Sequence, residues 1–227
     1  MAEVVVALDT PDGATALALV DRLPALRWVK VGSVLHTREG PDLVRALHAR
    51  GLRVFLDLKW LDIPNTVAGA VAAARDLGVA MATVHTLGGR AMLEAAAAAA
   101  GGVAIVGVTV LTSFDAAGYG AATGREGVEI EREALRLAGV ARSAGLAGVV
   151  CSAHEVARLR AEVGPGLLVV PGIRGAVDAA GDQQRVATPG AAVRAGATHL
   201  VVGRPIVAAA DPAAAFAAIS AEVAGCG

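Results

Sequence analysis

Asp57, Lys59 and Asp62 fall within one short stretch, FLDLKWLDIPNT over residues 55–66, which opens as an apolar run of strand type and is ended sharply by Ile63-Pro64-Asn65-Thr66. Along a strand, residues two apart point to one face, so Asp57 and Lys59 project together while Leu56 and Leu58 go the other way. An acid and a base thus share one buried wall. Buried charge is costly unless it is paired and hydrogen-bonded, which leaves two readings: a structural ion pair, or a site kept charged for chemistry. Lys30, flanked by Trp28, Val29 and Val31, is expected to be buried and to need a carboxylate from another strand, and Asp57 is the candidate. Lys30, Asp57, Lys59 and Asp62 then make a run of alternating sign, each charge balanced by its neighbours. The alternative is an ion pair that merely closes the fold, with Asp62 as N-cap of a helix opened by Pro64-Asn65.

Other residues point to an anionic ligand. Gly172 in PGIR and Gly203 in VVGRPI let backbone amides approach a ligand, and Arg174 and Arg204 supply forked donors suited to phosphate. A phosphorylated substrate is the sharper reading; surface arginines are the plainer one. Gln183, in the GDQQR connection, reads either as part of a lid or as ordinary loop polarity. Ser113 lacks a base near it in sequence, so Thr112-Ser113 suit the edge of a heterocycle better than nucleophilic chemistry. Cys151 with His154 could form a thiol site, yet a small buried cysteine is the commoner case. The five histidines show no metal spacing; His85 is the best metal candidate, and a site without metal is favoured.

The elements that must position these residues follow from alternation of β-branched runs with alanine- and leucine-rich stretches. Strands are predicted at 3–8, 28–32, 53–58, 80–84, 103–110, 147–151, 167–170 and 199–202. Helices are predicted at 14–22, 40–50, 65–77, 89–100, 130–144, 154–163, 189–195 and 212–223. Continuous apolar strands separated by helices imply a parallel sheet covered on its outside. Eight such units favour an α/β fold of one closed (β/α)8 TIM barrel, a single catalytic domain over residues 1–227, rather than an open doubly wound sheet. Asp9, Lys30, Asp57, Lys59, Thr112, Pro171, Arg174, Gly203 and Arg204 then recur at strand C-terminal ends, where barrel enzymes carry their chemistry.

Composition narrows the classes. With 227 residues, 55 % hydrophobic and 18 % charged, the chain is neither disordered nor short of core. A formal net charge of -1 offers no footprint for nucleic acid or an anionic membrane. Cys151 and Cys226 make no disulfide framework, and the N-terminal MAEVVVALDT lacks the basic and long apolar parts of a signal peptide. A cytoplasmic protein is expected. The uncharged run 95–114 is about the length of a membrane span, roughly 20 residues, but its Gly101-Gly102 break reads as a helix end, a turn and a buried strand.

Taken together, ALD (7–9), VKVG (29–32), DLKWLDIPNT (57–66), VLTS (110–113), PGIR (171–174), GDQQRVATP (181–189) and VVGRPI (201–206) resemble orotidine 5'-phosphate decarboxylase across nearly the whole chain. The resemblance implies decarboxylation of orotidine 5'-monophosphate to uridine 5'-monophosphate on a (β/α) barrel, with neither metal nor organic cofactor. It implies that Lys59 protonates pyrimidine C6 within the array of Lys30, Asp57 and Asp62. It also implies a homodimer in which Asp62, Ile63 and Thr66 reach into the partner's site. Asp9 and Lys30 match ribose-contacting positions, Thr112-Ser113 the pyrimidine loop, and Arg174, Gln183, Gly203 and Arg204 the phosphate end. Trp60-Leu61 depart from many bacterial members, which carry an aromatic or aliphatic residue and then histidine there; with the four charges kept, this reads as altered packing.

The nearest rival is a sugar-phosphate enzyme on the same barrel, such as the ketogulonate-phosphate decarboxylases or hexulose-phosphate synthases, which are similar through Asp-x-Lys-x-x-Asp. Those use magnesium and typically carry an acidic residue where this chain has Lys30. A non-catalytic nucleotide-binding protein on the same scaffold is the alternative from another class, and the retention of all four charges speaks against it.

Overall fold

Eight short strands close on one another in chain order, β1 Glu3–Ala7, β2 Trp28–Gly32, β3 Arg53–Trp60, β4 Met81–His85, β5 Ala104–Val108, β6 Gly148–Val150, β7 Leu167–Val170 and β8 His199–Val202. Every pairing is parallel, and β8 returns to β1 through Glu3 opposite His199 and Val6 opposite Val202. The structure is a computed structural model, and it describes residues 2–174 and 187–226. Gln183 lies outside the described residues.

The alternation of strand side chains explains why no strand is amphipathic. Inward-facing Val5, Ala7, Trp28, Phe55, Met81, Val106, Val169 and Val201 fill the barrel. Their neighbours Val6, Val29, Val54, Leu56, Ala82, Leu168, Val170 and Leu200 face out into a larger core shared with the helices. Both faces of each strand are therefore apolar, as a parallel sheet wrapped by helices requires.

The described helices are α1 Gly13–Asp21, α2 Ser33–His48, α3 Pro64–Asp76, α4 Gly89–Ala99, α5 Ala116–Thr123, α6 Ile130–Ser143, α7 Val156–Val163, α8 Pro189–Ala195, α9 Arg204–Val207 and α10 Pro212–Ala224. Their starts carry local signals. Asp12, Asp115, Thr188 and Asp211 accept backbone N–H bonds as N-caps of α1, α5, α8 and α10, and proline occupies the first turn of α3, α8, α9 and α10.

Four expectations need correction. The helix predicted to open at Gly40 follows a kink, where Gly40 has φ 62° and Pro41 comes next, but it is preceded by a helical segment from Ser33 that was not predicted. Helices α5 and α9 were not predicted. The fifth strand is shorter than expected, ending at Val108, since Thr109 turns its hydroxyl onto the Val150 carbonyl that its own amide also uses. Asp62 is not the cap of α3: Ile63 holds that position, and the Asp62 carboxylate accepts from the Ile63 amide at 2.6 Å. The run 95–114 is a helix end, a turn and a strand, as read. Among the described residues no helix is long and apolar enough to cross a membrane.

Candidate active site

β3 is the longest strand and projects past its neighbours. Its pairing with β2 ends at Asp57 opposite Gly32. On the other side the register slips, since Leu56 pairs with Ala82 and the next pair is Trp60 with Val84. Residues 57–59 of β3 thus stand opposite Thr83 alone, an excess of two residues, and Lys59 lies in that bulge with φ 52°, a left-handed conformation rare outside glycine. Thr83 of β4, fully buried, fills the interrupted ladder. Its hydroxyl accepts from the Lys59 amide at 2.8 Å and donates to Asp57 Oδ1 at 3.1 Å.

The bulge leaves the two predicted partners side by side. Lys59 Nζ stands 2.9 Å from Asp57 Oδ1, and Lys30 Nζ stands 3.7 Å from Asp57 Oδ2. Lys30 Nζ also lies 3.3 Å from Asp9 Oδ1. The side chains of Lys30 and Asp57 are only 12 % and 14 % exposed, against 38 % for Lys59 and 62 % for Asp9. The chain of charges Asp9–Lys30–Asp57–Lys59 therefore runs from the rim inward and back out, with Lys30 and the shared carboxylate deepest. Asp9 was expected to touch ligand, and its place in the ion chain was not foreseen. A Cβ at Gly32 would stand 3.2 Å from Lys30 Nζ, so glycine at the end of β2 gives the ammonium its space.

These residues line a cavity of about 610 Å³ at the C-terminal end of the barrel, within the ~300–1,000 Å³ typical of small-molecule sites. Asp9, Lys30, Asp57 and Lys59 form one side; Pro171, Gly172, Arg174, Gly203 and Arg204, after β7 and β8, form another; Thr112 and Cys151 complete it. Gly172 has φ 77°, which turns the chain sharply after β7. Arg174 is 8 % exposed, and its Nε lacks a hydrogen-bond partner among the described residues. A buried guanidinium donor at a cavity wall is matched by an anion.

Not every predicted site residue reaches this cavity. Asp62, Ile63 and Thr66 are exposed on the rim beyond β3, and Ser113 is exposed beside Thr112. Among the described residues no ion pair joins Asp62 to the array within the chain. Trp60 packs against the outer core, whereas Leu61 is 56 % exposed.

His85 ends β4 with Nδ1 accepting from the Leu87 amide at 3.3 Å. Burial first, and then the charge of Lys59, push its imidazole below the ordinary value of 6.5. Among the described residues no three His, Cys, Asp or Glu side chains gather as a metal site would require. Cys151 is buried at the end of β6, within the outer core. Thr83 was missed by sequence reasoning: a lone threonine in MATVH carries no signal beyond strand propensity.

A closed parallel barrel with paired acids and bases at the C-terminal end of one strand, and arginines after the strands opposite, defines an enzyme of the (β/α)8 class. Residues 2–219 match the family described as Orotidine 5'-phosphate decarboxylase / HUMPS family, and the chain belongs to it. It is 60 % identical over 233 aligned positions to the orotidine 5'-phosphate decarboxylase of Halorhodospira halophila, covering 98 % of this chain and 96 % of that one. With the enzyme of that name from Chromohalobacter salexigens it shares 51 % identity, over 97 % of this chain and 95 % of the relative. The crystal structure of orotidine 5'-phosphate decarboxylase from Lactobacillus acidophilus superimposes with a TM-score of 0.88 at 35 % identity, covering 98 % of this chain and 99 % of that one. The family expected from the motifs is thus the family found.

Proposed function

We propose that this chain decarboxylates orotidine 5'-monophosphate to uridine 5'-monophosphate and CO2, a step of pyrimidine biosynthesis, without a metal ion. The observation that carries the reading is the Lys59 ammonium at 2.9 Å from Asp57 on the wall of a cavity whose far side holds Arg174 and Arg204. β3 and β7 are opposite strands of an eight-strand barrel, so a ligand with its phosphate at the arginines lays its other end against Lys59.

The chemistry follows from that placement. Cleavage of the bond between C6 and the carboxylate releases CO2 and leaves the electron pair on C6, in the ring plane, where the π system cannot take it up. Lys59, already oriented by Asp57, stabilises that pair with no solvent reorganisation and then donates a proton to C6. The neutral amine regains its proton from solvent. Asp57 faces the departing carboxylate and disfavours it in the ground state. Asp9 and Lys30 receive the ribose, Thr112 and Ser113 the edge of the pyrimidine, and Arg174, Gly203, Arg204 and Gln183 the phosphate. Binding energy gathered at that remote phosphate holds the ring in register with Lys59.

Two ammoniums on either side of Asp57 argue against the magnesium-dependent sugar-phosphate reading. A divalent cation on Asp57 would stand beside Lys59 and Lys30, and the repulsion would oppose it. The site is completed by a second copy of the chain, with Asp62, Ile63 and Thr66 reaching across a dimer interface; their exposure on the rim of β3 supports this.

The test is loss of orotidine 5'-monophosphate absorbance with purified protein in excess chelator, beside Lys59→Ala. Turnover by the parent, and none by a variant that still binds uridine 5'-monophosphate, is expected. A folded parent that is inert in chelator but acts on a sugar phosphate once magnesium is added would overturn the reading.

A further inference from the structure

A second cluster of charge lies away from the catalytic array. Glu133, in the first turn of α6, is 3 % exposed, and Tyr119 of α5 is 1 % exposed. Tyr119 Oη donates to Glu133 Oε1 at 3.0 Å. Arg125 Nη1 stands 2.8 Å from the same oxygen, and Arg136 closes a fork on both carboxylate oxygens at 2.7 and 2.9 Å. Hydrogen bonds from Arg136, then those from Arg125 and Tyr119, hold the Glu133 carboxyl down at about 2 against burial, which raises it. The carboxylate is therefore charged near neutral pH.

Stability alone is a weak reason for such a cluster, since well-packed apolar residues commonly replace a buried ion network at no loss. What it holds is the connection between β5 and α6, residues 109–129, far longer than the ~2–6 residues usual between strand and helix in such units. That connection begins at the cavity. Val110, which lines the cavity beside Thr112, packs with Tyr119, Ala134 and Leu137 in a separate apolar cluster joined by Phe114. The rings of Phe114 and Tyr119 meet edge to face at 5.8 Å. At the far end, the Arg125 amide bonds the Gly120 carbonyl at 2.9 Å, and a Cβ on Gly120 would come within 2.5 Å of the Arg125 carbonyl oxygen. Both ends of the excursion thus meet at the Tyr119–Glu133 pair, Val110 packing in the cluster of Tyr119 and Arg125 pairing with Glu133.

We propose that Glu133 is a positioning residue for the base-binding loop: through Tyr119 and Arg125 it fixes the segment that presents Thr112 and Ser113 to the pyrimidine, and so sets affinity for the base rather than for the phosphate. This rests on the decarboxylase reading above, in which those two residues meet the ring. Glu133 touches no substrate. Its effect is separable from that of Arg174 and Arg204, which follow other strands.

The experiment is calorimetric titration of the parent, Glu133→Gln, Tyr119→Phe and Arg158→Ala with uridine 5'-monophosphate and with ribose 5-phosphate, which lacks the base. Glu133→Gln is expected to weaken the nucleotide by about tenfold, or about 1.4 kcal/mol, and to leave ribose 5-phosphate within about twofold. Tyr119→Phe keeps the ring packing and removes one hydrogen bond, so it reports in the same direction, by about threefold, even where Glu133→Gln lowers the folded yield. Arg158→Ala, whose pairs with Glu131 and Glu162 lie on the outer face, should change neither ligand. Equal weakening of both ligands would assign the cluster a purely structural role, and unchanged binding would remove it from the site; either overturns the inference. A parent that decarboxylates orotidine 5'-monophosphate alongside variants that bind both ligands as it does would refute this inference alone. A parent inert toward orotidine 5'-monophosphate would remove the decarboxylase reading and this inference with it.

Discussion

Lys59 holds a side chain in a backbone conformation that costs an L-residue roughly 1–2 kcal/mol, and the cost is offset locally by Thr83. The threonine hydroxyl satisfies the amide that the bulge withdraws from the ladder and also binds the carboxylate that orients Lys59. One hydroxyl therefore supports both the backbone and the side chain of the proposed proton donor. Thr83→Val keeps the shape and removes both bonds. The buried Lys59 amide is left without its partner, so unfolding free energy should fall by about 1–3 kcal/mol. In steady-state kinetics kcat should fall more than KM rises, because the phosphate grip is untouched. Urea denaturation and initial rates check both, and a variant with parental stability and kcat would show that Thr83 does neither job. The pairing of Asp57 with Lys59 and Lys30 was legible in the sequence because strand alternation dictates it. Thr83 was not, since its role depends on a register slip that no local pattern announces.

The elements were legible for a related reason. Parallel strands buried on two faces read as unbroken apolar runs, and the capping residues and prolines mark helix starts. Where those signals conflict, the reading fails: Gly40-Pro41 signals a start and conceals the helical turns from Ser33 onward, and the glycines of α5 mask a helix that tertiary packing on Tyr119 stabilises. The opposite end of the barrel from the cavity illustrates element packing with a titratable member. His199, opening β8, is 8 % exposed and meets Trp28 of β2 edge-on at 5.1 Å, while the Arg53 guanidinium of β3 lies 4.3 Å over the same indole. Burial lowers the His199 pKa below 6.5, opposed by Glu3 and aided by Arg53. The sign follows: the folded state keeps the imidazole neutral while the unfolded chain protonates it. The stability it contributes is intact above 6.5 and is lost as pH falls through the lower folded value. His36 and His85 are lowered by burial in the same sense. His199→Phe retains an aromatic edge against Trp28 and removes one of the three groups. Its urea midpoint should fall less than the parent's between about pH 7 and about pH 5. Parallel midpoints for the two proteins would show that His199 is not held neutral.

At the scale of the whole molecule, the exposed large apolar residues are not scattered. Val34 follows β2 at 67 % exposure, Leu61 and Ile63 follow β3 at 56 % and 66 %, and Leu87 follows β4 at 45 %, so all four rise from three consecutive strands on the same rim. They flank Asp62 and Thr66, two of the predicted polar positions that do not line the cavity. In the proposed dimer this apolar sector is the surface a second copy would cover, burying Ile63 and delivering its own Asp62 to the neighbouring array. A single chain's sequence and fold reveal such a sector only as exposure, which is why Asp62, set in the array by its alternating charge and by family resemblance, stands exposed beyond it within one chain. Ile63→Asp places a charge where the proposed interface buries an apolar side chain and leaves Asp57, Lys59 and Lys30 as they are. It should shift the protein from dimer to monomer in sedimentation velocity. Activity per chain should fall at least about tenfold and recover in part as protein concentration is raised, because dimers reform by mass action. Monomeric parent protein with full activity would place the complete site within one chain and return Asp62 to a surface role.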